Sequence, residues 1–258
     1  MHTLTKMEQI YARLRDRTHQ IAARCPVPDF YKDYSLESGF SKRLFETDPL
    51  ITALKRFVSD YLEDDFGHGM AHSMKVTIDA GALMFIEGKR TDYTPAQTER
   101  RVILAHCAGL LHDIKRKHKD HAALGAGFAR EVLEDFALLP DEIDDICNAI
   151  RNHEAFKKTV PAATPEGALV SDCLYDADKF RWGPDNFKDT LWDMVLFFKP
   201  TLTDFIKRYP KGMEGIVKIK DTFRTVTGKK YGPEFIDIGL SIGDELLKVI
   251  LTEFASDI

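Results

Sequence analysis

The sequence has no long apolar run, no paired cysteines and no large excess of charge of one sign, and each lack removes a class of function. No stretch reaches the about 18 consecutive apolar residues that a membrane span needs, and Met1 to Arg17 is studded with charge. Neither a bilayer helix nor a secretory signal is therefore expected. Cys25, Cys107, Cys147 and Cys173 stand far apart with no C-x-x-C spacing, and three of them lie in apolar helical patterns. That usage suits buried free thiols in a reducing compartment, so the expected localisation is cytoplasmic. A formal net charge of −5 gives no global attraction to a polyanion, so neither a nucleic acid polymer nor an anionic membrane is an expected partner. Any phosphate binding has to be local.

Strand-like alternation, internal repeats and low-complexity linkers are also lacking. What remains over 258 residues, 44% of them hydrophobic, is helical periodicity. Leu4 to about Ala23 reads as an amphipathic helix broken by Cys25-Pro26-Val27-Pro28, and Asp29 to Thr47 as an irregular aromatic loop. Asp48-Pro49 opens a second helix, and Met70 to Glu87 a third that carries His72, Val76, Ala80 and Leu83 on one face. Thr94-Pro95-Ala96-Gln97 is a capping box for a fourth, Asp120 is positioned to cap a fifth beginning at His121, and Pro140 starts a sixth. In that sixth helix Ile143, Ile146, Ile150 and His153 follow one stripe, and from Gly167 to Phe180 so do Val170, Leu174 and Asp178. Beyond Trp182 the pattern is helical and aromatic, with joints expected at Gly183-Pro184, Pro210-Lys211-Gly212 and Tyr231-Gly232-Pro233. The expected fold is one all-α domain over residues 1–258. It has a core of five to six helices over about 66–182 and helical extensions over 1–65 and 183–258.

The chain is organised around Val102 to Asp120. A nearly unbroken apolar run, Val102 to Leu111, reads as a buried helix and delivers His112-Asp113 into that interior before the charged segment Lys115 to Asp120. An ionised aspartate in an apolar setting is costly unless it is paired or holds a metal. His72, His112, Asp113 and Asp178 stand together as polar exceptions on apolar faces. Two imidazoles and two carboxylates suit a first-row divalent ion that keeps open positions for water and substrate. Neighbours on a straight helix point roughly 100° apart, so His112 and Asp113 can share one ion only where the helix ends. His106 reads as packed core, His68 as a turn histidine, and the phenylalanines after Trp182 as core. Thr227-Gly228-Lys229-Lys230 lacks the first glycine of a phosphate loop and is discounted.

The ordered segments AHSMKV, LLHDI, HAALGA, IRNHE and DADKF resemble the HD superfamily of metal-dependent phosphohydrolases over about residues 66–182. The resemblance implies metal ligation by His72, His112, Asp113 and Asp178. His121 and His153 sit where many members have two further histidines, which either hold a second ion with Asp113 bridging or face substrate phosphate. It further implies one or two divalent ions per chain (Mn, Fe, Mg, Co, Ni or Zn) and attack of water on phosphorus. The expected substrate is a small phosphorylated metabolite, foremost a nucleotide. Phosphomonoesterase, phosphodiesterase and nucleotide pyrophosphohydrolase activities all remain open, as does a homodimer. Lys115, Arg116, Lys117 and Lys179 are expected to meet substrate phosphate, with Arg151 a weaker candidate. Lys115 and Lys179, with Asp113, His121 and His153, are the expected catalytic set. The glycine-lysine that follows the doublet in the cyclic-dinucleotide phosphodiesterase branch is here Lys115-Arg116, which argues against that branch. A di-iron oxygenase on the same scaffold and a ligand-sensing protein without turnover are the alternatives.

Overall fold

Asp48-Pro49, Thr94-Pro95 and Pro140 open helices where the sequence leads one to expect. A computed structural model describes residues 5–61 and 69–258, with no strand among them. The expectations for Leu4 and His68 lie outside the described residues.

Helix α1, Lys6–Ala22, starts with a reciprocal capping box in which Thr5 and Glu8 satisfy each other's orphan amides. Residues Asp29–Asp33 (α2) and Ser35–Thr47 (α3) are helical, which corrects the irregular loop expected there. Gly39 and three serines blur the periodicity of α3, but Phe30 and Phe45 are fully sequestered, and burial of those rings outweighs weak local propensity. Helix α4, Pro49–Tyr61, follows Asp48, whose carboxylate accepts from the Ile51 amide at 2.9 Å.

Five helices then form the centre: α5, Met70–Gly88; α6, Pro95–Leu111; α7, His121–Leu133; α8, Pro140–Arg151; and α9, Pro165–Phe180. Helices α5 and α6 make the most extensive packing interface of the chain. Gly109 permits their close approach, because a Cβ there would lie 2.7 Å from the Thr77 Cα. Asp120 stands at the N-cap position of α7 but makes no side-chain cap hydrogen bond, contrary to expectation.

After α9 a π-helical turn, Asn186–Thr190, leads into α10, Leu191–Phe198, followed by α11, Leu202–Ile219, and α12, Val226–Glu253. Two expected joints do not exist: Pro210 lies inside α11 and Pro233 inside α12. A mid-helix proline costs about 3 kcal/mol. The buried faces on either side, Phe205, Tyr209 and Ile216 in α11 and Tyr231, Phe235 and Ile242 in α12, keep each helix continuous through it. Helix α12 packs against α1, α9 and α11 and ties the two ends of the chain to the centre.

A buried ionic knot joins these layers. The Arg181 guanidinium donates to the Tyr31 hydroxyl at 2.8 Å, to Asp185 at 2.6 Å and to Asp79. It therefore pins the start of the π turn to both α5 and α2. No helix among the described residues is long and apolar enough to cross a membrane.

Candidate metal centre

Six side chains converge where five helices end. His72 lies in the first turn of α5, His112 is the C-cap of α6 with Asp113 in the turn after it, and His121 is the first residue of α7. His153 lies just past the C-cap of α8, and Asp178 in the last turn of α9. The regular α6 ends at Leu111, His112 still has helical dihedrals as its C-cap, and Asp113 in the turn that follows brings Oδ2 to 3.4 Å from His112 Nε2. The whole cluster is buried: His112 is fully inaccessible, and the Asp113 side chain is 2% exposed.

Around this point the donors form two triads that share Asp113. On one side His72 Nε2 lies 3.3 Å from His112 Nε2, 3.4 Å from Asp178 Oδ1 and 3.9 Å from Asp113 Oδ2. His112 Nε2 lies 3.4 Å from the same Asp113 oxygen and 4.0 Å from Asp178. On the other side Asp113 Oδ1 lies 3.4 Å from His153 Nε2 and 3.6 Å from His121 Nε2, with the two imidazole nitrogens 3.3 Å apart. One carboxylate thus sends one oxygen to each triad.

The chemistry of this donor set fits a divalent cation. Two ligands about 2.1 Å from one ion and about 90–110° apart lie roughly 3.0–3.4 Å from each other, the spacing of the shortest contacts here. His112 Nδ1 donates to the Gly109 carbonyl at 2.7 Å and His153 Nδ1 to the Ile150 carbonyl at 2.6 Å, so each ring is held with Nε2 facing inward. Asp113 Oδ1 is buried and has no hydrogen-bond partner.

Electrostatics point the same way. Burial opposes ionisation of Asp113, but His112 and His153 outweigh it and hold the carboxyl well below its usual range. For Asp178 burial is likewise overcome, by Lys179 and His72. Burial pushes His72 down, and burial with His153 pushes His121 down to about 4, so both imidazoles are neutral. His112 alone is raised, because Asp113 outweighs burial; the two carboxylates draw positive charge to this point.

A family model for the HD domain matches residues 69–182. Those residues are an HD domain. No curated protein matches the chain. A solved structure of a predicted HD superfamily hydrolase from an uncultured Thermotogales bacterium is similar to it, at 22% identity and a TM-score of 0.49, over 83% of this chain and 98% of that one.

The basic residues expected at the HD centre divide. Arg116 and Lys179 line the same cavity as the donors. Arg116 Nη1 donates to His121 Nε2 at 2.9 Å and lies 3.9 Å from Asp113, while Lys179 is buried and pairs with Asp178. Lys115 does not line this cavity; its ammonium sits 3.7 Å above the Phe128 ring. Lys117 is exposed and does not line it either. Arg151 faces a separate groove between α7 and α8, with Arg130 and Asp144. It lies on α8 itself, whereas His153 lies past the helix end, so the two diverge. His106 is core, as expected: its Nε2 donates to Ser41 Oγ at 2.9 Å, since the Ser41 proton goes to the Ile78 carbonyl.

Several contributors escape a reading of the sequence. Asn152 exchanges side-chain hydrogen bonds with Val160 at 2.8 and 2.9 Å, fixing the chain end that carries His153. Phe156, at φ 62°, holds a backbone conformation rare for a bulky residue while lining the cavity. The π turn brings Asn186, Phe187 and Thr190 to the same cavity, a common use of such turns. The asparagine inside IRNHE was the one available signal; the others depend on distant packing.

Proposed function

We propose that the protein is a metal-dependent phosphohydrolase acting on a small phosphorylated metabolite in the cytoplasm. The observation that carries this reading is the position of two cations, Arg116 and Lys179, on the cavity that also exposes Asp113 and Asp178. His72, His112, Asp113 and Asp178 would hold the ion, which when bound lowers the pKa of a water and polarises a phosphoryl oxygen.

The chain's own residues do the rest. Burial of the carboxylates strengthens their hold on any cation by excluding water. The Nδ1 hydrogen bonds of His112 and His153 fix both rings, so no reorientation is needed when substrate arrives. Arg116 is poised to leave His121 for a substrate phosphate, as charge-assisted contacts favour. That movement frees His121 Nε2, which together with His153 then faces the phosphate or a second ion. Hydrolysis joins the water oxygen to phosphorus, breaks the P–O bond to the leaving group and returns a proton to that group.

Elemental analysis of protein purified without chelator, paired with a phosphate-release screen over nucleotides and sugar phosphates, tests the reading. Asp113→Ala is expected to lose both metal and activity, with circular dichroism as the control for folding. A folded variant that keeps either one overturns the assignment.

One observation favours a second reading. Each triad is two histidines and one carboxylate, the set that non-haem iron oxygenases use. A mixed-valent spectroscopic signal after anaerobic iron loading, without phosphate release, would select it.

A further inference from the structure

The cavity that begins at His72, Asp113, His153 and Asp178 does not stop at the donors. It encloses about 520 Å³ and continues between the π turn, α10 and α11. Away from the donor end its walls are Trp182, Phe187, Leu191, Val195, Phe205 and Met213. The polar side chains in this stretch are few. Tyr209 spends its hydroxyl proton on the Gly243 carbonyl at 2.8 Å, leaving Asn186, Thr190 and the exposed Arg208 on α11. The apolar surface also runs outward, since Met194 and Phe198 line the cavity and are 41% and 62% exposed.

A nucleoside needs partners for its ribose hydroxyls and base edges, and each buried group left unpaired costs affinity. This wall supplies almost none. A volume of this size, apolar over most of its length, with Arg116, Lys179 and the carboxylates at one end and the exposed Arg208 as the charge on the α11 wall, fits an amphiphile with its phosphate at the donors. Resting on the hydrolase reading above, we infer that the substrate is a phosphate ester of an apolar alcohol, whose hydrocarbon body lies between α10, α11 and the π turn.

Two glycines of α11 make the inference testable without disturbing the core. Gly212 lines the cavity and Gly215 does not, and a Cβ at either meets nothing within 4 Å. Gly212→Trp therefore places a ring at the cavity wall, while Gly215→Trp places the same ring on the same helix away from it.

The experiment has two readouts on the manganese-loaded full chain. Calorimetry with butyl-, octyl- and dodecylphosphonate reads binding without turnover, and phosphate release from the corresponding alkyl phosphates and from nucleotides reads catalysis. Affinity is expected to rise about fourfold per methylene until the chain outgrows the cavity, the increment for burying a CH₂ group. Gly212→Trp should cut the affinity for dodecylphosphonate at least tenfold and leave butylphosphonate unchanged, with Gly215→Trp behaving like the parent. Octyl phosphate in free solution and dodecyl phosphate in phosphatidylcholine vesicles separate a dissolved ester from a bilayer-borne one, and hydrolysis of either supports the class. A flat chain-length series, or equal effects of the two tryptophans, overturns the inference even if nucleotides are hydrolysed. Absence of phosphate release from every ester with a steep binding series would instead sink the hydrolase reading and leave the apolar ligand standing.

Discussion

Replacing Arg181 by methionine probes whether the buried knot under the cavity is a structural necessity. The side chain is 7% exposed and satisfies Asp79, Asp185 and the Tyr31 hydroxyl together. Without it Asp185 keeps Lys75 and Lys188, each at 3.1 Å, but among the described residues Asp79 keeps the Tyr31 hydroxyl at 2.7 Å as its hydrogen-bond partner, with Lys75 a more distant charge. Removing one partner of a buried pair costs about 3–5 kcal/mol, because the other charge stays behind uncompensated. For a chain of this length that lowers Tm by roughly 10 °C.

The pH dependence of that loss has a definite sign. Burial already raises the Asp79 carboxyl above its ordinary value, and without the opposing guanidinium it rises further. A carboxyl raised in the folded state binds more protons there than when unfolded. Stability then falls as pH rises from about 4 through the raised value. Arg181→Met should accordingly lose more at pH 8 than at pH 5. Asp79→Leu with Arg181→Met should recover most of the loss, since no lone charge remains. Urea unfolding of the four proteins of this cycle at both pH values provides the test. Additive losses in the double variant, or a single-variant loss under about 1 kcal/mol, would refute the reasoning.

Two further outcomes are expected. Arg116→Ala should lower kcat/KM for any phosphorylated substrate by about tenfold to a hundredfold, the worth of a charge-assisted hydrogen bond, while Lys115→Ala should change it by less than about threefold; the reverse order would move the phosphate away from Arg116. His106 is fully buried and pushed down to about 3 by desolvation and by Lys55, so the unfolded chain takes up a proton below about pH 6.5 that the folded chain refuses. The parent should lose about 2 kcal/mol more than His106→Leu between pH 6.5 and pH 5, and parallel unfolding curves would show that His106 protonates without unfolding.

Much of this architecture is legible in the chain because its signals are local. Thr94 to Gln97 caps α6, Asp48-Pro49 opens α4, and the run to Leu111 followed by His112-Asp113 announces a buried helix with a polar end. The order of His72, His112, Asp113, His121, His153 and Asp178 is likewise in the sequence. Their convergence is tertiary, because it needs five helix termini at one point and a helix that stops just before His112. Helices α2 and α3, and the persistence of α11 and α12 through Pro210 and Pro233, were hidden because burial of distant aromatic faces overrides local propensity. The basic run after the doublet shows the same division. Sequence places Lys115, Arg116 and Lys117 side by side, yet successive residues of a turn point in different directions, and the fold sets Lys115 over the Phe128 ring while Arg116 turns to Asp113 and His121. Composition and order determined an all-helical protein with a histidine–aspartate centre, and the packing of the later helices over that centre decided the size and lining of the cavity that opens from it.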